Sequence, residues 1–110
     1  MTYDLPDRLA LARRSDAAFN VLEADMAAEK ASSLGHHGRQ VENAMAALRA
    51  FDAAPGDPDE RLRLVRKAAR EVWAFLVQRE LCGLRDQKEV IRHYGIPGEV
   101  LARLGAVERG

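Results

Sequence analysis

The chain has 110 residues, enough for one domain and too few for a second independent core. Seventeen Lys/Arg balance seventeen Asp/Glu, so the molecule lacks the long-range positive field that draws proteins to nucleic acid or anionic lipid. Apolar residues are 47% and charged residues 31% of the chain, a composition that excludes disorder and suits a soluble globular protein.

Alanine alone accounts for 19 residues, against 11 for Val, Ile and Thr together, which favours helices over strands. The expected fold class is all-α. The single Cys82 can form neither an intrachain disulfide nor a cysteine metal cage, and fits a reducing cytosol. Charges at Asp4, Asp7, Arg8, Arg13 and Arg14 interrupt the apolar stretch that a secretory signal needs. The longest apolar run, Val72 to Val77, falls far short of the roughly 20 residues that span a bilayer. A cytoplasmic location away from membranes is therefore expected.

Residues 1–15 mix Leu and Ala with Arg and a proline, and read as an N-terminal tail or a short helix. From Asp16, a plausible N-cap, the large apolar residues are Phe19, Leu22, Met26, Leu34, Val41, Met45, Leu48 and Phe51. At about 100° per residue all eight fall within a sector of roughly 140°. Gly35-His36-His37-Gly38 does not disturb that phase. A loop would have no reason to preserve helical phase, so the pattern predicts one long helix over about 16–53. Its rival is two helices broken at the glycines, each of which costs about 1 kcal/mol in a helix interior.

The second helix has clear boundaries. Asp57 can N-cap, Pro58 suits the first helical position, Asp59 and Glu60 complement the positive helix end, and Gly83 suits the C-terminal cap. Leu62, Val65, Ala69, Val72, Trp73 and Leu76 share one face, widened by Ala68 and Phe75. Arg63, Arg66, Lys67 and Arg70 form a basic stripe opposite. The short Pro55–Pro58 connection makes the two helices an antiparallel hairpin.

Two short helices should follow. Asp86 with Glu89 three residues on opens the first, which ends at Gly95; Pro97 opens the second, which ends at Gly105. Tyr94, Ile96, Leu101 and Leu104 supply their apolar seam. Residues 16–105 thus read as one helical domain, and 106–110 as a frayed end.

At about 1.5 Å per residue the first helix is about 57 Å long and the second about 37 Å, with the surplus at the N-terminal end. Phe19, Leu22 and Met26 lie on that surplus. The short helices, expected to cap this open end, can cover part of the stripe, and a second copy of the hairpin the rest. A homodimer, closing into a bundle, is expected, with these three residues at its interface; full coverage of the stripe by residues 86–105 is the alternative.

Glu80 sits on the apolar side of its helix, between the directions of Trp73 and Leu76, where a lone carboxylate is costly. The hairpin register places Lys30 and Ser33 near it, which predicts a partly buried Glu80–Lys30 pair; pairing of Glu80 with Arg85 is the alternative. The charged group Arg79, Glu80, Arg85, Asp86 and Arg92 is the candidate binding surface, beside the plainer reading of helix-end ion pairs and caps.

Catalytic chemistry finds no foothold, and no enzyme activity, cofactor or metal is expected. His36 and His37 point about 100° apart on a helix, and Glu89 with His93 lacks a third ligand. Cys82 stands at a helix C-terminus, whose dipole raises a thiol pKa. There is no GxGxxG, Walker loop, Gly-x-Ser-x-Gly elbow or HExxH. Residues 86–105 have spacings like a degenerate DNA-binding helix-turn-helix, with Gly95 at the turn. Ile91 is too large for the usual close approach, and the would-be recognition helix offers Glu99 and only Arg103.

The run Val72-Trp73-Ala74-Phe75-Leu76-Val77-Gln78-Arg79-Glu80-Leu81-Cys82-Gly83-Leu84-Arg85-Asp86 is followed by Tyr94-Gly95-Ile96-Pro97 and Val100-Leu101-Ala102-Arg103-Leu104-Gly105. With Ala28-Glu29-Lys30-Ala31-Ser32 and Ala47-Leu48-Arg49-Ala50-Phe51-Asp52, it resembles a family of small bacterial proteins of unknown function over about residues 18–106. That resemblance implies no activity and transfers no catalytic residue. The functional expectation is a small helical interaction or scaffold module that homo-oligomerises, with an unidentified protein partner. Nucleic-acid association through 86–105 is the alternative.

Overall fold

The computed structural model describes residues 8–105, so the expectations for residues 1–7 and for the frayed end at 106–110 lie outside the described residues. Four helices follow in order: α1 (Arg8–Ala53), α2 (Pro58–Leu81), α3 (Gln87–Tyr94) and α4 (Gly98–Leu101). No strand occurs among the described residues. By internal contacts the chain divides into two units, 1–32 and 33–110.

Helix α1 is unbroken through Gly35 and Gly38, as the conserved phase of its apolar residues predicts. It begins earlier than expected. Asp16 is not its N-cap, and residues 8–15 are helical, because Arg8-Leu-Ala-Leu-Ala-Arg-Arg-Ser combines good helix formers with no glycine or proline.

In the first unit every residue from 11 to 32 is exposed, so this stretch has an amphipathic sequence and no packed face. Among the described residues, all thirteen buried apolar ones belong to the second unit. Val41, Ala44, Met45 and Leu48 of α1 meet Val65, Ala68, Ala69, Val72, Phe75 and Leu76 of α2 in one cluster, completed by Val90, Ile96 and Val100. Met45, Val41, Val72 and Val100 are fully buried.

Local capping fixes the element ends. Asp57 accepts a hydrogen bond from the Asp59 N–H at 3.0 Å, with Pro58 opening α2. At the other end Gly83 takes the left-handed conformation (φ +80°), its N–H donating to the Glu80 carbonyl and the Leu84 N–H to the Arg79 carbonyl. These two bonds form a Schellman cap. Asp86 caps α3 by accepting from the N–H groups of Lys88 and Glu89 at 3.1 and 3.4 Å. Gly95 ends it at φ +60°, and the Ile96 N–H reaches back to Ile91.

The short helices do not cap the open end of the hairpin. They fold back along it toward the α1–α2 turn: Glu99 of α4 pairs with Arg61 at 2.7 Å, and Arg61 pairs with Asp52 at 2.8 Å. Burial explains the difference. Ile96 and Val100 find their apolar partners in the core of the second unit, whereas the caps and turns needed only to satisfy backbone groups.

Two expectations for α2 are also corrected. Trp73 is 51% exposed and Glu80 is exposed. The buried arc of α2 is centred near Val72 and runs toward Ala68 and Phe75. Relative to Val72, Trp73 is turned by about 100° and Glu80 by about 80°, which puts both at or beyond the rim. Glu80 therefore keeps its hydration, and so does Lys30, which is exposed in its own unit. Both are exposed, so neither is the partly buried charge that the expected Glu80–Lys30 pair supposes. Glu80 makes no ion pair among the described residues, so the alternative with Arg85 is absent as well.

Candidate functional site

The predicted polar group around the α2–α3 connection separates into caps and solvated charges. Arg79 is half-buried, lies over the Phe75 ring at 5.8 Å, and donates to the Asp86 carbonyl at 3.3 Å. The Asp86 carboxylate is occupied as the cap of α3. Glu80, Arg85 and Arg92 are exposed. Arg92 belongs instead to a polar cavity of about 390 Å³ with Glu42, Arg49, His93, Tyr94 and Gly95. There Arg49 donates to the Tyr94 carbonyl at 3.5 Å, so one of its two guanidinium groups already serves the carboxyl end of α3.

A larger open cavity, about 660 Å³, lies beside the hairpin turn between Pro58, Arg61, Leu62, Val65, Glu99, Ala102 and Arg103. Its charged wall is the Arg61 hub. Arg61 makes two-toothed hydrogen bonds to both Asp52 and Glu99, at 2.7–3.1 Å. These bonds hold both carboxyls below the usual carboxylate range and push the Arg61 pKa up. The hub ties α1, α2 and α4 together, and its donors are spent on carboxylates. Sequence reasoning did not single out Arg61, because Glu99 is 38 positions away and becomes its neighbour only when α4 folds back.

Three of the four cations of the α2 basic stripe are likewise engaged. Arg63 pairs with Glu60 at 2.6 Å, and Arg66 and Arg70 also have partners. Helix α4 is a single turn with Val100 buried and Glu99 held by Arg61, so residues 86–105 do not build the second helix of a helix-turn-helix. His36 and His37 meet edge to face at 5.5 Å, and the His37 Nδ1 is buried without a hydrogen-bond partner. Among the described residues no group of three or more His, Cys, Asp or Glu could hold a metal ion.

The remaining feature is apolar. On the first unit Leu11, Phe19, Leu22 and Met26 are 47%, 64%, 58% and 51% exposed. At about 100° per residue they fall within an arc of roughly 80°, with Ser15 on its midline. Four large apolar side chains on one helical face, none of them packed, form the kind of contiguous patch that marks an association surface. The expected interface residues Phe19, Leu22 and Met26 are three of its four members, and Leu11 extends it toward the N-terminus.

The profile of a family of unknown function, DUF6665, matches residues 3–110. The chain belongs to that family. No curated protein and no solved structure matches it. Among the described residues no helix is long and apolar enough to cross a membrane.

Proposed function

We propose that this chain is a non-enzymatic helical interaction module of the cytoplasm that forms a homodimer through the face carrying Leu11, Phe19, Leu22 and Met26, closing into a helical bundle. The exposure of that face is the observation that carries the reading. The stretch 11–32 lacks the burial of an amphipathic face from which most helical stability in proteins comes. A partner that covers the face supplies what the sequence was patterned for.

The energetics fit a reversible dimer. Fully burying a large apolar side chain is worth about 1.5–3 kcal/mol, and each of these is already about half covered. Eight such groups across a dimer contribute about 6–12 kcal/mol, against an association cost of about 4–15 kcal/mol. The free Cys82, with no second cysteine to pair with, supports a reducing compartment.

Light-scattering mass across a concentration series tests the reading. A mass rising from the 12.2 kDa of one chain toward twice that value supports it, provided that Phe19→Asp/Leu22→Asp stays at one chain. A wild-type chain that remains monomeric at every concentration, or a double variant that dimerises equally well, refutes it.

A further inference from the structure

The second unit carries an apolar surface of its own. Among the described residues, its exposed large apolar side chains are Trp73, Val77, Leu81 and Leu84, at 51%, 37%, 66% and 43%. Trp73, Val77 and Leu81 follow one another a turn apart and share an arc of roughly 80° beyond the rim of the buried face of α2, and Leu84 follows just past the Gly83 cap. The chain at Gly105 stands against the Trp73 ring, where an added Cβ would lie 3.9 Å from it. A half-exposed tryptophan held in this way is the kind of anchor that dominates protein interfaces.

We propose that the first-unit face of each chain, Leu11, Phe19, Leu22 and Met26, docks on the Trp73, Val77, Leu81 and Leu84 surface of its partner, so that one two-fold dimer covers both. This rests on the dimer reading above and names what the face meets. A large apolar side chain removes about 100–200 Å² from water when fully buried. With about half of that still exposed, four of them give about 200–400 Å² per chain, whereas a stable interface takes about 800 Å² per partner, about 450 Å² of it apolar. Pairing the first-unit faces with each other thus falls short, and it leaves the α2 surface open to further copies. Docking each face on the other chain's α2 doubles the apolar area and closes the assembly at two chains. Charges of both signs flank each surface, Asp25, Glu29 and Lys30 beside the first, Arg70 and Glu80 beside the second, so apolar area and not charge selects this arrangement.

Trp73 is the chain's one tryptophan, so its fluorescence reports the contact without any substitution. Its emission should move to shorter wavelength as the mass rises toward two chains. A dimeric mass with unmoved emission leaves the dimer standing and overturns docking on α2, and a monomeric mass at every concentration overturns the dimer itself. A mixed pair separates this arrangement from one in which the two α2 surfaces meet each other. The Phe19→Asp/Leu22→Asp chain keeps Trp73 but lacks the docking face, whereas Trp73→Tyr/Val77→Asp/Leu81→Asp keeps the face but lacks the tryptophan and the surface that receives it. Each alone should stay monomeric, and adding the second to the first, well above the concentration at which the wild type dimerises, should shift the Trp73 emission of the first. Absence of that shift, from chains that both retain helical circular dichroism, overturns the proposal, as does an α2 variant that dimerises as tightly as the wild type.

Discussion

The Tyr94 hydroxyl rests against the bare backbone of Gly38: a Cβ added there would stand 3.0 Å from that oxygen and 3.5 Å from the Phe75 ring. Phe75 and Tyr94 meet edge to face at 5.5 Å, so this glycine lets α3 close onto the hairpin. Gly35, one turn earlier, is exposed, and a Cβ there would meet only the flexible end of Arg39 at 3.4 Å.

The two glycines should therefore respond differently to alanine. Gly35→Ala gains up to about 1 kcal/mol of helix propensity. Gly38→Ala gains less or loses stability, because Tyr94 must yield. In a Tyr94→Phe background, which removes the hydroxyl, Gly38→Ala should approach the effect of Gly35→Ala. Urea unfolding of the four variants measures this, and equal effects in the parent chain would dismiss the close approach.

The Arg61 hub predicts a pH dependence with a definite sign. Hydrogen bonds from Arg61 lower the pKa of Asp52 and Glu99 in the folded chain. Unfolded carboxyls titrate near 3.9 and 4.3, roughly, so below that range the unfolded chain binds more protons than the folded one. The stabilisation is present above about pH 4 and is lost as pH falls through the folded values. The urea midpoint should thus drop on acidification, and drop less in Arg61→Ala. Glu60, held down by Arg63, retains some dependence in that variant. Identical pH profiles would show that the hub contributes nothing.

Core and face should separate cleanly in a dilute, monomeric sample. Met45→Ala removes a fully buried side chain and should cost about 2–5 kcal/mol. Leu22→Ala, on the exposed face, should change monomer stability by no more than about 0.5 kcal/mol while weakening association. Comparable losses in the monomer would mean that Leu22 packs within its own chain.

Much of this architecture is legible in the residues themselves. Asp57-Pro58 and Gly83 mark the ends of α2, because capping is local chemistry. The continuity of α1 through Gly35 and Gly38 follows from the phase of residues on either side. Long-range geometry is not legible in the same way. The inward arc of α2 is set by what packs on it, so Trp73 and Glu80 moved to the rim although their helix was correctly placed. The return path of α3 and α4 depends on where Ile96 and Val100 find a core, and only that path creates the Arg61–Glu99 pair. For the site, the face of Phe19, Leu22 and Met26 was visible as surplus amphipathic helix, whereas the charged group at 79–92 resolved into caps and separate solvated arginines.

Amide hydrogen exchange as a function of protein concentration tests the central claim most directly, since it reports whether residues 10–32 are held by their own chain or by another. Protection in that stretch should be weak in dilute solution and rise with concentration, while protection across 41–48 and 65–76 stays constant. Strong protection of 10–32 that does not change with dilution would contradict the account.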